Sequence, residues 1–420
     1  MISFRKFEEI FTIISLMSFS GAIVRFIAPN NPVYFIVLIL LYGSGLLSLL
    51  LMLARWRQTL QRLTQEKWLW VLLTIVFASL AWSETPWITL DRGDSQGLLP
   101  FLCGNLFGMY VATRYPFVKQ LELIAWSFGI STGLSLILGK LVPSYGVMGF
   151  GNIINFEDLI HTGSWRGVYN HKTVLGSLMT LAVIFFLPFT NRAFRFSWLA
   201  WGLIGMAISL ILLSTTKAAL VILFLVVLVF LPIYRVIRWH SSIAFSFFVA
   251  LALLVSSTSI IIVGNAETLL GLLGRDLTFT GRTEIWPAVW EKVLQRPWLG
   301  YAYNTFWQGI EGESADVWLA VPFRPPHAHN GFLDICLDVG LVGFSIFAIG
   351  FFSTCFRSIV LIRKTKTLLG LLPLAYLTAL FFLNLTEGFL MRENIYWPLY
   401  VIMTLSTHRK PEELESDLSS

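Results

Sequence analysis

About twelve apolar stretches, most of them close in length to a bilayer-crossing helix, divide this chain and limit what it can fold into. A helix that crosses the hydrocarbon core needs roughly 20 mainly apolar residues. Of all residues, 56% are hydrophobic and 13% are charged, whereas soluble domains carry roughly 25% charged residues. The predicted fold class is therefore all-α, that of a polytopic integral membrane protein. The predicted spans lie near 8–28, 33–53, 68–83, 97–113, 120–139, 172–190, 197–213, 217–234, 242–263, 331–352, 367–384 and 391–407.

Basic residues are divided unequally between the two sets of loops that these spans define. One set, which includes both termini, holds 18 basic and 8 acidic residues, and the other holds 11 basic and 16 acidic residues. Because cytoplasmic loops carry the excess of Lys and Arg, we expect both termini to be cytoplasmic. The first span carries Glu8, Glu9 and Arg25 and lacks a small-residue cleavage site, so we interpret it as a retained helix, not a signal peptide.

This orientation predicts four regions. Residues 1–263 contain helices 1–9, residues 264–330 form a large extracytoplasmic loop, residues 331–407 contain helices 10–12, and residues 408–420 form a cytoplasmic tail. A loop as long as 264–330 is uncommon without a role. Its tryptophans, among them Trp286, Trp290 and Trp298, favour amphipathic helices that lie at the membrane interface, and the alternative is that they form a platform for sugar rings.

The stretch PPHAHNG at 325–331 places two histidines directly before the tenth span. Asn330 is a favourable helix N-cap, so His329 is expected at the N-terminus of that helix. The positive end of the helix dipole disfavours imidazolium there, and a neutral imidazole can act as a general base. His327 and His329 have no Cys or Glu beside them in sequence, and we therefore predict no metal site. The alternative is that both histidines are solvated loop residues.

Several cationic residues lie at predicted outer helix ends, where an unpaired charge in lipid would be costly. A diphosphate is a suitable partner, because guanidinium and ammonium groups bind phosphate oxygens strongly. For Lys217 the alternative is that its ammonium reaches the lipid headgroups. No G-x-x-x-x-G-K-[ST] loop is present, so ATP is not the expected energy source. The cations that we expect to converge are Arg166, Lys172, Lys217, Arg282 and Arg392, with His171 and Glu387 nearby.

These motifs together resemble the superfamily of O-antigen ligases and O-antigen or exopolysaccharide polymerases. The hallmark is His-Asn followed after nine residues by Gly-x-x-Gly, here His329-Asn330 and then Gly340 and Gly343. The segments GRTEIW, WRGVYNHKTVLGS, LLSTTKAAL and NLTEGFLMREN extend the resemblance from about residue 150 onward, and they are most similar to the exopolysaccharide polymerase branch. Two positions depart from the pattern. Lys217 stands where ligases often have Arg, and Thr173 replaces an Asn that often follows His-Lys.

The resemblance implies a GT-C-type glycosyltransferase that works without metal or cofactor on the outer side of the bacterial inner membrane. It would transfer glycan from undecaprenyl diphosphate to an acceptor hydroxyl with inversion. By this analogy His329 is the base, and Arg282 with Lys217 holds the diphosphate. Asp334 and Asp338, one turn apart, would orient His329 or bind sugar hydroxyls, or else form the polar face of the helix.

The sequence leaves the acceptor open. Lipid A core would make the protein a ligase, another repeat unit would make it a polymerase, and a protein acceptor would make it an oligosaccharyltransferase. The expected partners are the lipid-linked donor, that acceptor and the membrane lipids, with no nucleic acid. The rival hypothesis is a flippase or transporter for lipid-linked sugars, which would use the same cations for the diphosphate and would explain Arg25 inside the first span.

Overall fold

The computed structural model describes residues 3–22, 34–92, 96–150, 159–191, 197–239, 282–321, 324–365 and 368–409. Over these ranges the backbone is mostly helical, and its extended pairing is one isolated bridge between Val147 and Trp165. The predicted all-α class is confirmed for this part of the chain. The predicted span 242–263 and residues 264–281 of the predicted loop lie outside the described residues.

Each predicted span that the structure describes contains a helix. In the first part of the chain the helices are α1 (Phe4–Phe19), α2 (Tyr34–Leu53), α3 (Trp56–Leu63), α4 (Lys67–Ala78), α5 (Pro86–Leu90), α6 (Leu98–Arg114), α7 (Phe117–Leu141) and α8 (Pro143–Gly146). They continue as α9 (Lys172–Phe186), α10 (Ser197–Leu213), α11 (Lys217–Phe224), α12 (Leu231–Trp239), α13 (Arg282–Gln295), α14 (Ala315–Ala320), α15 (Gly331–Lys364), α16 (Leu372–Asn384) and α17 (Tyr396–Ser406). A π-helical stretch, Leu225–Phe230, joins α11 to α12.

Five helices of the described residues are long and apolar enough to cross a membrane, or six if the bent pair of α3 and α4 counts as one span. The bend in that pair, between Trp56–Leu63 and Lys67–Trp82, is 94°. Two further apolar helices, Ser197–Leu213 and Leu368–Asn384, are shorter. The multi-pass membrane class is confirmed, and the total of twelve spans stays a prediction.

Polar side chains tie the helices together inside an apolar core. Trp397 on α17 donates its indole N–H to Asn105 on α6 at 3.0 Å, and the hydroxyl of Ser406 donates to Gln120 on α7 at 2.8 Å. All four residues are buried among aliphatic and aromatic side chains. Where neighbouring helices are as apolar as lipid, such hydrogen bonds help to fix which helices pair.

Ion pairs collect at one end of the bundle, and the candidate site lies at the other. At the first end the buried Glu8 pairs with Arg114 and Arg55, and Glu66 pairs with Arg357. The N-termini of α6, α9, α15 and α17 meet the C-termini of α1 and α16 at the second end, around one cavity. Which side of the membrane each end faces stays a prediction.

The helices α13 and α14, which precede α15 in the chain, pack on the first turns of α15. Their apolar residues form a second cluster that includes Ile285, Val289, Val317 and Leu337. Trp290 and Trp298 are exposed, as a membrane-interface belt requires. Two other tryptophans stabilise the segment before α15. The indole N–H groups of Trp286 and Trp318 donate to the backbone carbonyls of Ala328 and Pro325, respectively.

α15 is broken at Gly340, where the apolar pattern predicted a continuous helix. Gly340 has φ +67°, and the backbone of 297–301 lies against the break. Leu341 N–H donates to Pro297 O at 2.7 Å, and Tyr301 N–H donates to Leu337 O at 2.7 Å. A Cβ at position 340 would lie 2.2 Å from the carbonyl oxygen of Trp298. The first glycine of Gly-x-x-Gly is therefore required both by its dihedral angle and by this close approach.

Candidate functional site

The predicted N-cap of α15 is confirmed. The side-chain oxygen of Asn330 accepts hydrogen bonds from Phe332 N–H at 3.0 Å and Leu333 N–H at 3.3 Å. His329, just before the cap, has φ +49°, a left-handed conformation that costs a non-glycine residue about 1–3 kcal/mol. Gly331 allows the C-terminal end of α16 to approach, because a Cβ at position 331 would lie 2.3 Å from the Asn384 side-chain oxygen. The turn is thus held in a strained conformation by its surroundings.

The two imidazoles lie side by side. The backbone N–H of His329 donates to Nδ1 of His327 at 3.0 Å, and the ring centroids are 4.2 Å apart. This bond assigns the proton of neutral His327 to Nε2. Burial lowers the pKa of His327 to about 4, so its imidazole is neutral near pH 7.

Glu387, from the segment between α16 and α17, lies beside His329. Its Oε2 is 3.6 Å from His329 Nδ1, and both side chains are mostly buried. Ligand atoms of His327, His329 and Glu387 all lie within 4.8 Å of one another, close enough to hold a metal ion. The argument that no Glu lies beside the histidines is therefore wrong, because it considered only neighbours in sequence.

Asp334 and Asp338 on α15 are buried anchors and do not form an exposed polar face. Asp334 Oδ1 accepts from the Trp307 indole N–H at 3.0 Å and from Ala328 N–H at 3.1 Å, which fixes the backbone beside His329. Asp338 accepts from Asn304 N–H at 3.0 Å. Of the two roles considered from the sequence, the structure supports orientation of the histidine loop for Asp334.

Arg392 forms an ion pair within the protein. Its guanidinium donates to Asp338 Oδ2 at 2.5 Å and lies 5.8 Å from the centre of the Tyr303 ring. The carboxylate offsets the guanidinium charge, which counts against a role for Arg392 in binding the diphosphate. That Arg392 converges with the other cations stays a prediction.

Lys172 and Lys217 lie close enough to repel each other electrostatically. Lys172 Nζ lies 3.4 Å from the hydroxyl of Thr215, and the Thr216 hydroxyl donates to Lys172 O at 3.1 Å. Thr215 has φ +55°, so this turn is also strained. Lys217 is exposed, and no carboxylate of the described residues forms an ion pair with it. Two adjacent ammonium groups without a carboxylate between them favour an anionic ligand.

The other residues predicted to lie near these lysines differ in their burial and in their contacts. Arg166 is buried, and its Nε donates to Tyr145 O at 3.1 Å, so this residue holds the short helix α8 in place. His171 caps α9 by accepting from Thr173 N–H through Nδ1 at 3.2 Å. Arg282 is the first residue of α13, and its side chain lies outside the described part of the structure.

Glu393 is a site residue that the sequence did not indicate. Its Oε1 accepts from Gly97 N–H at 2.9 Å and from the Tyr303 hydroxyl at 2.9 Å, which ties α6 to the site. Burial raises the pKa of the Glu393 carboxyl to about 7. The signal in sequence would have been weak, an acidic neighbour of Arg392 in the polar segment MREN.

Comparison with known proteins agrees with these motifs. A sequence profile of the family described as O-Antigen ligase matches residues 201–348, which include Lys217, His329 and Gly340. The chain is 24% identical over 286 residues to the exopolysaccharide production protein ExoQ of Rhizobium meliloti (strain 1021), a match that covers 66% of this chain and 62% of that protein. The chain thus matches less than two thirds of the length of this relative. With the histidine motif and the apolar helices, these matches support the resemblance of the chain to the O-antigen ligase and polysaccharide polymerase superfamily of membrane proteins.

Proposed function

We propose that this protein is a GT-C-type membrane glycosyltransferase that transfers glycan from undecaprenyl diphosphate to an acceptor hydroxyl. The reaction takes place on the outer side of the inner membrane, and both termini are cytoplasmic. The observation that carries the proposal is the placement of Glu387 beside His329 on the strained turn before α15. A basic imidazole with a carboxylate at its second nitrogen is suited to proton removal.

In the proposed reaction His329 takes the proton of the acceptor hydroxyl through Nε2. The acceptor oxygen attacks the anomeric carbon, and the bond from that carbon to the diphosphate oxygen breaks, so the configuration inverts. The electron pair leaves with the diphosphate. Glu387, 3.6 Å from Nδ1, stabilises the imidazolium that forms. His327 stays neutral and positions the His329 backbone.

Lys172 and Lys217 hold the diphosphate in this proposal, together with Arg282. The support is their pairing at the end of the bundle that carries the histidines, since α9 and α11 both begin there. Ammonium groups act as point charges and lack the two-pronged geometry of guanidinium, so Arg282 would supply the directed hydrogen bonds. Arg166 is proposed as a further cation beside the three residues that hold the diphosphate.

The acceptor in this proposal is a hydroxyl of another saccharide unit, and lipid A core is the alternative. The support is the resemblance to a relative whose name refers to exopolysaccharide production. The proposal retains residues 264–330 as a large extracytoplasmic loop. It also retains the transmembrane helices that the sequence predicts before and after this loop.

The proposal is tested by transfer in nanodiscs from undecaprenyl-diphosphate glycan to candidate acceptors. His329→Ala should lower the single-turnover rate by about 10²–10⁴-fold and leave donor binding nearly unchanged. His327→Ala serves as the neighbouring control and should cost less. Full transfer activity in both variants would reject a histidine base, whereas no transfer by the wild-type protein to any acceptor would favour the flippase. Loss of activity in His327→Ala alone would move the base by two residues.

A further inference from the structure

His327, His329 and Glu387 bring three potential metal ligands together. One ligand atom from each lies within 4.8 Å of the other two. Nδ1 of His329 and Oε2 of Glu387 are 3.6 Å apart, which is too long for a hydrogen bond. Two ligands of a tetrahedral zinc ion, each about 2.1 Å from the metal, are roughly 3.4 Å apart. A zinc ion therefore fits between these two atoms with little movement of either side chain.

Nδ1 of His329 is an unsatisfied polar atom. It is buried, and it has no hydrogen-bond partner among the described residues. Oδ2 of Asp334 is likewise buried and unpaired within the described part of the chain, 2.4 Å from the place that a Cβ on Gly388 would take. Because buried polar atoms are almost always paired, an unpaired one between other potential ligands favours a bound ion.

The charges around the two imidazoles favour a cation. Asp334 and Glu387 both act electrostatically on the His327 ring, and so does Arg392, which is paired with Asp338. Arg92 lines the adjoining cavity. Among these five ionisable residues the carboxylates outnumber the guanidinium groups, so the region keeps a negative charge that a divalent cation offsets.

The cavity of about 440 Å³ at this end of the bundle provides an entry path for an ion. His327 lines it, and so does Gly388, the residue after Glu387. The side chains of His329 and Glu387 keep 23% and 13% of their surface exposed. The three potential ligands are thus not sealed from solvent, as a metal site requires.

Binding of an ion competes with one hydrogen bond of the resting site. A neutral imidazole has one lone pair, and that of His327 lies on Nδ1, where it accepts the backbone N–H of His329 at 3.0 Å. An ion that uses this lone pair displaces the bond that positions His329. Such competition favours a reversible ion over a permanent cofactor.

We infer that His327, His329 and Glu387 form an inhibitory site for Zn²⁺. Two imidazoles and one carboxylate with an open fourth position are typical of zinc sites, whereas Mg²⁺ and Ca²⁺ prefer oxygen ligands. Zn²⁺ takes the lone pair of His329 Nδ1, so the ring proton resides on Nε2. In the proposed function Nε2 removes the acceptor proton, and a protonated Nε2 does not accept another. Inhibition therefore rests on the proposed function, while binding rests on the geometry.

The test uses the full chain in nanodiscs and includes measurements that do not depend on activity. Zn²⁺ binding is followed by isothermal titration calorimetry, and Co²⁺ serves as a coloured substitute. Zn²⁺ should bind, Co²⁺ should give the visible absorption of a tetrahedral site, and Zn²⁺ should abolish that absorption. Saturating Zn²⁺ should stop single-turnover transfer, whereas Mg²⁺ should not.

Glu387→Gln keeps the size of the side chain and removes its charge. It should weaken Zn²⁺ binding by about tenfold or more, since even residues that only support a ligand typically contribute roughly 10–100-fold. If this variant is unstable, His329→Ala provides a second test and should lose the Co²⁺ absorption.

His408→Ala is the matched control, because it removes a histidine that also lies beside a glutamate. His408 Nε2 is 2.8 Å from Glu66 Oε2 at the other end of the bundle. Arg357 is paired with the same carboxylate and offsets its charge. Zn²⁺ binding by His408→Ala should therefore equal that of the wild-type protein.

The outcomes separate the site from the proposed function. No Zn²⁺ binding, or transfer that persists at saturating Zn²⁺, would overturn the inference in a protein whose transfer activity upholds the proposed function. Unchanged affinity in Glu387→Gln would place the ion elsewhere and also overturn it, as would a rate that Zn²⁺ raises. Zn²⁺ binding that depends on Glu387, in a protein that transfers no glycan to any acceptor, would support the site and reject the proposed function.

Discussion

The guanidinium of Arg392 donates a hydrogen bond to the carboxylate of Asp338 at 2.5 Å, although 54 residues separate them in sequence. Asp338 also fixes the backbone of Asn304, so this pair joins α15, the segment between α13 and α14 and the segment before α17. The two side chains are 14% and 2% exposed, which makes this a buried ion pair.

Removing one partner of the pair should strongly destabilise the protein. Arg392→Ala leaves the Asp338 carboxylate buried and unpaired, a change that typically costs about 3–5 kcal/mol. Thermal unfolding in detergent should show a lower Tm for Arg392→Ala, and the double variant Arg392→Ala/Asp338→Ala should recover part of the loss. The single variant Asp338→Ala completes the cycle, and a loss in the double variant equal to the sum of the two single losses would show that the pair is not coupled.

Two substitutions of Lys217 should show whether donor binding depends on the charge of this side chain or on its shape. Lys217→Ala removes one cation of the lysine pair and should weaken donor binding, with the largest loss at low ionic strength where screening is weak. Lys217→Arg keeps the charge and should retain most of the affinity. Donor titration in nanodiscs at two salt concentrations measures both effects. Equal losses in the two variants would indicate that the ammonium shape, not its charge, is required.

Chelation should leave transfer intact, because the proposed chemistry uses Lys and Arg to hold the diphosphate. The competing arrangement is the set of His327, His329 and Glu387, whose ligand atoms lie within 4.8 Å of one another. Single-turnover transfer should be measured after EDTA treatment and after addition of Mg²⁺, Mn²⁺ or Zn²⁺. Loss of activity with EDTA and its recovery with one of these cations would indicate that the three residues bind a metal ion that the reaction requires.

Glu393 should make stability fall as the pH rises toward neutrality. Its folded-state pKa is raised to about 7 from a usual value of 4.5, so the folded protein holds the proton more tightly. The stabilisation is complete below the unfolded pKa and is lost as the pH passes through about 7. The Tm of the wild-type protein should drop between pH 5 and pH 8, and Glu393→Gln should flatten that drop. An unchanged slope would assign the pH dependence to other groups.

Topology can be tested with single cysteines in a protein from which Cys103, Cys336 and Cys355 are removed. Glu311 and Gln61 are suitable positions because they are exposed at opposite ends of the bundle. Ala328, beside the histidines, is fully buried and would not react with the reagent. An impermeant reagent on intact spheroplasts should label Glu311→Cys and spare Gln61→Cys. The reverse pattern would invert the proposed orientation.

The sequence predicted the parts of the molecule that depend on local rules. Apolar runs located the helices, and an Asn after two histidines located the cap of α15. The pairing of Lys172 with Lys217 was also accessible, since both begin helices on the same predicted side. These inferences need only helix length, capping preference and the alternation of membrane sides.

Contacts between distant segments could not be predicted in this way. Glu387 reaches His329, and Glu393 reaches Gly97, only because α16 and α17 fold back on the other helices. The same packing pairs Arg392 with Asp338. Hydropathy gives no register between helices, so these pairs have no signal in a single sequence.

The break at Gly340 has a consequence for how deep in the bilayer the chemistry occurs. Residues 341–364 alone form roughly 36 Å of helix at about 1.5 Å per residue, enough for a hydrocarbon core of about 30 Å. The nine residues before the break, 331–339, would then form a helix of roughly 14 Å outside the hydrocarbon core. Under the proposed function, a hydrophilic saccharide would reach His329 at the end of this helix without leaving water, while the prenyl tail of the donor would stay in the lipid.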